Sequence, residues 1–194
     1  MTKVLLYSGG MDSWIIDKLY KPDIKLFIDV KTPSSIEERK RLPKDVIVKE
    51  FDLSEYEEKN EKHLLPLRNL ILAELGSYYG DEICLGAVGG SIHYDNNETF
   101  RKQAEDLLNY LYSENNTKKV KIVLPYMNTT KEELVKLYKD SGGNLKEAFN
   151  QSFSCYEPIN GKECGKCISC KQKIEAFKKN GYIEGGEING KFWK

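Results

Sequence analysis

The chain has 194 residues, of which 40% are hydrophobic and 31% charged, which is typical of one globular domain with at most a small appended module. Its 30 basic and 30 acidic residues cancel, which argues against a dedicated nucleic-acid-binding protein, because such proteins usually carry a basic excess. No apolar run approaches the roughly 20 residues that span a membrane, and the first residues lack a secretory pattern. We therefore expect a cytoplasmic protein without membrane or nucleic-acid partners.

Short runs rich in Val, Ile and Leu alternate with segments of helical spacing. The predicted strands are residues 3–7, 24–30, 46–51, 82–88 and 120–125. The predicted helices are residues 11–20, 34–41, 66–79, 97–113, 130–140 and 170–179, and residues 130–133 have the sequence of a capping box. This alternation predicts an α/β fold, a parallel twisted sheet flanked by helices, with ligands bound beyond the carboxyl ends of the strands.

A glycine-rich turn (residues 8–13) follows the first predicted strand and precedes the first helix. Strand, turn and helix in this order aim backbone N–H groups and the positive helix end at a phosphate. Gly9 and Gly10 allow close approach of the backbone to an anion, and Ser8 and Ser13 add hydroxyl donors. Asp12 can cap the helix or help to hold a metal ion. The turn predicts a pyrophosphate site; a plain βα connection with an Asp or Ser cap is the alternative.

Four cysteines form a cluster near the C-terminus: Cys155, Cys164, Cys167 and Cys170. Four sulfurs suit tetrahedral Zn²⁺, and a complete ligand set leaves no position for a reactive water, so we expect a structural metal. An iron–sulfur cluster, or pairs of redox-active or idle thiols, are the alternatives. Cys84 stands apart and is expected to be a small buried strand residue. Residues 1–150 are assigned to the α/β domain and residues 151–194 to a C-terminal zinc-binding segment and tail.

Taken in order, these motifs resemble those of the 7-cyano-7-deazaguanine synthases, the QueC family within the N-type ATP pyrophosphatases. The glycine-rich turn is similar to the pyrophosphate loop (PP-loop) of that superfamily. The other matching segments are residues 65–70, 85–87, 124–127 followed by Lys131, 154–156 and 164–170. The match covers most of the chain, and each segment stands at the corresponding place in the order.

The resemblance implies a reaction, the ATP-dependent conversion of 7-carboxy-7-deazaguanine and ammonia into 7-cyano-7-deazaguanine through an adenylated carboxylate and an amide. It implies a Rossmann-like fold of the adenine nucleotide alpha hydrolase type, with residues 1–150 as the PP-loop domain. The implied cofactors are ATP and Mg²⁺, beside a structural Zn²⁺. Members of the family are often homodimers.

The resemblance and the residue chemistry together give the candidate site. The candidate catalytic residues are Ser8, Asp12, Ser13 and Lys131. The candidate ATP-binding residues are Tyr7, Ser8, Gly9, Gly10, Met11, Asp12 and Ser13. The candidate substrate-binding residues are Arg68, Asn69, Gly86, Asp95 and Arg101, and the metal ligands are the four clustered cysteines. Asp95 would accept hydrogen bonds from a guanine-like edge, whereas Lys131 is unfavourable in a first helical turn unless it meets an anion.

Other interpretations stay open at this point. The loop at residues 88–97 departs from the usual sequence of the family, and Met11 replaces a common glutamine, which favours a related ligase that uses another carboxylate or stops at the amide. A noncatalytic zinc-bearing module that binds nucleic acid is the alternative from another class. Arg68 could form a surface ion pair and Asn69 a local cap. His63 and His93 are assigned no catalytic role.

Overall fold

A computed structural model describes residues 1–56, 65, 67–89, 94–114 and 118–182. Five parallel strands form one sheet: Lys3–Leu6 (β1), Ile24–Asp29 (β2), Val46–Glu50 (β3), Glu82–Cys84 (β4) and Lys121–Val123 (β5). Their order across the sheet is β3-β2-β1-β4-β5. The strand order reverses between β1 and β4, and ligands of such sheets bind at the carboxyl ends of the strands beside that point.

Seven α-helices are formed by the described residues. They are Met11–Tyr20 (α1), Pro33–Arg39 (α2), Arg68–Ser77 (α3), Glu98–Ser113 (α4), Lys131–Asp140 (α5), Leu145–Gln151 (α6) and Ile168–Lys179 (α7). A short 3₁₀ turn lies at Ser54–Tyr56. Within the described part of the chain, no helix combines the length and the apolar character that crossing a bilayer requires.

Helices cover both faces of the sheet because alternate side chains of each strand point to opposite sides. On one face Leu5 packs with α1, α5, α6 and α7, where Trp14, Leu134 and Phe177 are buried. On the other face the neighbouring residue Val4 packs with buried residues of α3 and α4. Burial on both faces explains why the strands are short, nearly continuous apolar runs.

The structure confirms the predicted fold class, and the differences are at element ends and in one additional helix. β4 stops at Cys84 rather than at residue 88, because the chain leaves the ladder after Leu85 donates to the Val123 carbonyl at 3.1 Å. The capping box at α5 is present, with Thr130 and Glu133 bonded reciprocally. Cys84 is fully buried, and burial raises the pKa of its thiol, which makes it unreactive as expected.

Helix α6 is absent from the prediction, although its start carries a recognisable signal. The Asn144 side chain accepts a hydrogen bond from the Glu147 N–H at 3.2 Å, as an N-cap residue does. The predicted helix at residues 130–140 ends where α5 does, at Asp140, and the segment after it supplies the N-cap of the next helix.

The outer edge of β5 is covered by polar side chains of α4. The Ile122 N–H donates to Glu105 at 2.8 Å, and the Ile122 carbonyl accepts from Arg101 at 3.2 Å. One turn further along α4, the amide of Asn109 bonds both the N–H and the carbonyl of Val120, each at 2.8 Å. These side chains occupy the backbone groups that a further strand would use.

Candidate functional site

The glycine-rich turn is held in shape by its own hydroxyl groups. Ser13 Oγ accepts hydrogen bonds from the N–H groups of Ser8 (3.2 Å) and Gly9 (3.1 Å), and Ser8 Oγ accepts from Gly10 at 3.1 Å. Gly9 has φ +78°, a left-handed conformation that favours glycine. The two serines therefore fix the conformation of the turn, and Gly9 adopts the left-handed φ angle that this conformation requires.

Residues on either side of these glycines anchor the turn in the core. Tyr7 and Met11 are only 3% and 2% exposed and pack in the cluster that lies between the sheet and α1. Burial, followed by the nearby carboxylates of Asp17 and Asp45, raises the pKa of Tyr7, so its phenol stays protonated. The side chains of these two residues thus support the turn from beneath, and an ATP contact would come from their backbone.

The N-terminus of α1 points out of this turn. Gly10 is the N-cap residue, has no side chain to satisfy the helix end, and accepts the first helical bond from Trp14 at 2.9 Å. The N–H groups that precede this bond have no acceptor inside the helix. Ser154 Oγ accepts a hydrogen bond from the Met11 N–H at 2.8 Å, and the N–H groups of Asp12 and Ser13 come next at the same helix end. Together with the helix dipole, they form an anion-binding end.

Asp12 and Lys131 form an ion pair beside the turn. Asp12 lies in the first turn of α1 and Lys131 in the first turn of α5, and the lysine ammonium contacts Asp12 Oδ2. Asp12 is therefore the anion that offsets a lysine at an unfavourable helix position. Asp12 Oδ1 is buried and, among the described residues, is without a hydrogen-bond partner. A buried carboxylate oxygen without a partner suits a cation or a donor from a bound ligand.

Of the predicted substrate residues, Gly86 lies next to the turn, and Asn69 lies on α3, which packs against β1 and β4. Gly86 follows β4, and a Cβ atom placed on it would lie 3.9 Å from the Ser13 Cβ, so the two residues are neighbours. Asn69 is buried in α3, and its amide donates to the Asp95 carbonyl at 3.2 Å and to Asn96 Oδ1 at 2.8 Å. Asn69 thus fixes the backbone of the loop that carries Asp95.

Arg68 begins α3 and lies near acidic groups at the carboxyl side of β2. Burial raises the pKa of the half-buried Glu38 carboxyl to about 8, the Arg68 charge opposes that rise, and Asp29 adds to it. Asp29 itself is bonded to Ser35 at 2.9 Å and to Arg39 at 2.9 Å. The assignment of Arg68 to the substrate stays a prediction.

Arg101 is engaged elsewhere, at the outer edge of β5. Its guanidinium pairs with Glu98 and Glu105 at 2.8 Å and donates to the Ile122 carbonyl. It lines an open depression of about 610 Å³ along that edge. The structure does not bring Arg101 together with the glycine-rich turn, and its assignment to the substrate stays a prediction. His63, Pro66, His93 and the tail at 183–194 lie outside the described residues, as does the loop at 90–93.

The four clustered cysteines come together as a metal-ligand set. Their Sγ atoms all lie within 4.8 Å of one another, and those of Cys164 and Cys170 are 4.0 Å apart. Tetrahedral Zn²⁺ with bonds of about 2.3 Å would hold its sulfurs roughly 3.8 Å apart. The donor set and its spacing fit Zn²⁺, and Cys155, Cys164, Cys167 and Cys170 would hold it.

Backbone N–H groups around the sulfurs favour thiolate. Burial raises the pKa of Cys155 to about 11. Burial also opposes ionisation of Cys164, but the N–H groups of Cys167 and Lys166 donate to its sulfur at 3.3 and 3.4 Å, and its pKa falls to about 7. N–H donors to a ligating sulfur also fix its orientation toward a metal.

The glycine-rich turn also contacts residues that the sequence analysis left without a role. The Phe153 N–H donates to the Gly9 carbonyl at 2.9 Å, beside the bond from Met11 to Ser154. The Arg41 guanidinium lies 3.9 Å from the centre of the Phe153 ring. The clue available in the sequence was that Ser154 directly precedes a metal ligand.

Several known proteins with a similar sequence are 7-cyano-7-deazaguanine synthases. A family model described as queuosine biosynthesis protein QueC matches residues 16–181. The chain is 33% identical to the 7-cyano-7-deazaguanine synthase of Hahella chejuensis over 91% of this chain and 88% of that protein. It is 26% identical to that of Pseudoalteromonas translucida over 91% of this chain and 94% of that protein. Its alignment with that of Leptospira interrogans is 43% identical but covers 34% of this chain and 25% of that protein.

Proposed function

Since the chain belongs to the family of the queuosine biosynthesis protein QueC, we propose that it makes 7-cyano-7-deazaguanine from 7-carboxy-7-deazaguanine, ammonia and ATP. In this reaction the carboxylate is adenylated with release of pyrophosphate, and ammonia displaces AMP to give the amide. A second ATP activates the amide oxygen, and loss of AMP and a proton leaves the nitrile. The two oxygens of the carboxylate leave on the two AMP molecules.

The observation that carries the proposal is the pairing of the glycine-rich turn with the Asp12–Lys131 ion pair at the switch point of the sheet. Adenylation needs positioned groups that offset the charge of the leaving pyrophosphate. At the N-terminal end of α1, this charge would be offset by the N–H groups of Asp12 and Ser13 and by the Lys131 ammonium, which reaches Asp12 from α5. Asp12, one carboxylate oxygen of which has no hydrogen-bond partner among the described residues, would hold Mg²⁺, and the ion would supply positive charge that offsets the phosphate charge.

The acid is proposed to bind beyond β4, between Gly86 and the loop held by Asn69. Gly86 places the β4 end against Ser13, so a carboxylate there would lie close to an α-phosphate on the turn. Asn69 fixes the backbone at Asp95, whose carboxylate would accept from the guanine-like edge. Arg68, on the same helix as Asn69, would attract the substrate carboxylate.

Zn²⁺ is proposed to have a structural role in this protein. Four thiolates fill a tetrahedral coordination sphere, so no position is left for a reacting water or carbonyl. The metal would close the chain between Cys155 and Cys170 and stabilise the fold there. Lys173 supports the same region, because its buried ammonium bonds the Ser152 carbonyl at 2.6 Å.

The proposed reaction is tested by incubating the protein with ATP, Mg²⁺, ammonia and 7-carboxy-7-deazaguanine. Mass spectrometry should detect AMP and the nitrile, and AMP should not form without the acid. Accumulation of the amide alone would instead support a related ligase that stops at that step. If AMP forms only with another member of a panel of deazapurine acids, that acid is the substrate instead. If AMP forms with none of them, the proposal is contradicted.

Replacing Gly9 by alanine is expected to weaken ATP binding about tenfold and to destabilise the fold by about 1–2 kcal/mol. The reason is that φ +78° at Gly9 disfavours a side chain, so the turn must shift. Gly142→Ala is the matched control, since Gly142 has φ +88° and nothing within 4 Å of an added Cβ. Calorimetric titration with ATP and thermal unfolding measure both effects. A similar loss of ATP affinity in both variants would contradict a specific role of Gly9.

A further inference from the structure

Residues just before the first metal ligand complete the glycine-rich turn from outside. Ser154 Oγ accepts the Met11 N–H at 2.8 Å, and the Phe153 N–H donates to the Gly9 carbonyl at 2.9 Å. A Cβ atom on Gly10 would lie 3.6 Å from the Phe153 carbonyl oxygen and 3.7 Å from Ser154 Oγ. The segment thus touches three consecutive residues of the turn, although 143 positions separate Met11 from Ser154.

Ser154 is fixed by a backbone contact as well as by its position next to Cys155. Its N–H donates to Glu163, the residue directly before the metal ligand Cys164. Glu163 in turn accepts from the Lys173 ammonium at 3.0 Å, and that lysine is only 1% exposed. Such a buried, hydrogen-bonded pair holds its geometry firmly, because moving either partner leaves a charge unpaired. The hydroxyl of Ser154 is therefore aimed at the turn by the same contacts that build the metal site.

From this geometry we infer that Ser154 is a positioning residue that couples the metal site to the nucleotide site. The inference rests on the proposed binding of ATP at the turn. Ser154 accepts a hydrogen bond from the first N–H of α1, that of Met11. It thereby sets the direction in which the next N–H groups, those of Asp12 and Ser13, face the phosphates. Coupling is reciprocal in free energy: if the bound metal improves ATP binding by fixing Ser154, then bound ATP tightens metal binding by the same factor. Zinc release is slowed as well, because it has to loosen the contact that Ser154 makes with the turn.

The test uses the full-length, zinc-loaded protein and a chromophoric chelator, with and without ATP. We expect saturating ATP to slow zinc release by about fivefold or more in the parent protein, the lower end of usual coupling between sites. In Ser154→Ala this slowing should disappear, and the ATP dissociation constant from calorimetry should rise about fivefold, as for loss of a helix-capping hydroxyl. Ser154→Thr keeps the hydroxyl and should restore both effects.

Ser152→Ala is the matched control, because that buried hydroxyl lies two residues away and donates to the Ala148 carbonyl at 2.6 Å rather than to the turn. It should behave as the parent in both measurements. Thermal unfolding separates positioning from general support, since Ser154→Ala should change Tm no more than Ser152→Ala does.

Several results would overturn the coupling. One is that ATP slows zinc release equally in Ser154→Ala and in the parent protein, and another is that the parent protein binds ATP without any slowing of zinc release. The third is tighter ATP binding by Ser154→Ala, which would mean that the hydroxyl competes with phosphate. A parent protein that fails to bind ATP at all would instead remove the proposed function, and this inference with it.

Discussion

Replacing Lys131 by methionine is expected to lower acid-dependent AMP formation by about 100- to 1,000-fold, the usual effect of removing one charge-stabilising group from a reaction site. Its ammonium contacts Asp12 at the end of the glycine-rich turn, where the charge of the pyrophosphate would develop in the proposed reaction. Methionine has a similar length but carries no charge, so packing between α1 and α5 should be kept. The measurement is kcat and KM for ATP at saturating acid.

Lys136→Met is the control for this experiment. Lys136 lies on the same helix but is exposed and pairs with Asp140 at 2.6 Å, so its loss should leave turnover unchanged. Turnover at the parent level in Lys131→Met would contradict the assignment.

Replacing Cys164 by serine is expected to release most of the bound metal and to lower Tm by about 10 °C. A structural zinc site contributes several kcal/mol to folding, and in a chain of this size each kcal/mol corresponds to about 2–4 °C. Cys164 Sγ accepts two backbone hydrogen bonds and lies 4.0 Å from Cys170 Sγ, so it is central to the cluster. Elemental analysis and thermal unfolding measure the two effects.

Cys84→Ala is the matched cysteine variant, because Cys84 is buried in β4, outside the cluster. It should keep the metal and lose only about 1 kcal/mol of stability through the small cavity. Full metal retention in Cys164→Ser would rule out the four-thiolate site. If the parent protein contains iron and absorbs visible light, the cysteines hold an iron–sulfur cluster rather than zinc.

Local patterns were enough to predict most of the fold. Each strand of the sheet begins within one residue of its predicted start, since buried parallel strands are apolar runs that a sequence shows directly. Their ends are less visible. β4 looks longer in the sequence because residues 85–88 are also apolar, yet regular pairing stops at Cys84 and only an isolated bridge between Val88 and Tyr126 follows. Helix α6 has seven residues, too few for a clear periodicity.

The site was predictable where it is local and not where it depends on distant contacts. The glycine-rich turn and the cysteines could be identified from spacing alone. The partner of Lys131 is 119 positions away and that of Ser154 is 143 positions away, and a single sequence contains no signal for such pairs. Arg101 is a further example: its sequence position near a suspected loop does not indicate that its guanidinium bonds the edge strand, as it does in the structure.

The covered margin of β5 restricts how copies of this protein can associate. Joining two sheets into one continuous sheet at that margin would require breaking the bonds that Arg101, Glu105 and Asn109 make to Val120 and Ile122. Those polar side chains would then be trapped between two backbones without partners, at a cost of about 1–3 kcal/mol for each group. Self-association on this side of the molecule would therefore have to proceed through side-chain surfaces and leave every backbone ladder as it is in the monomer.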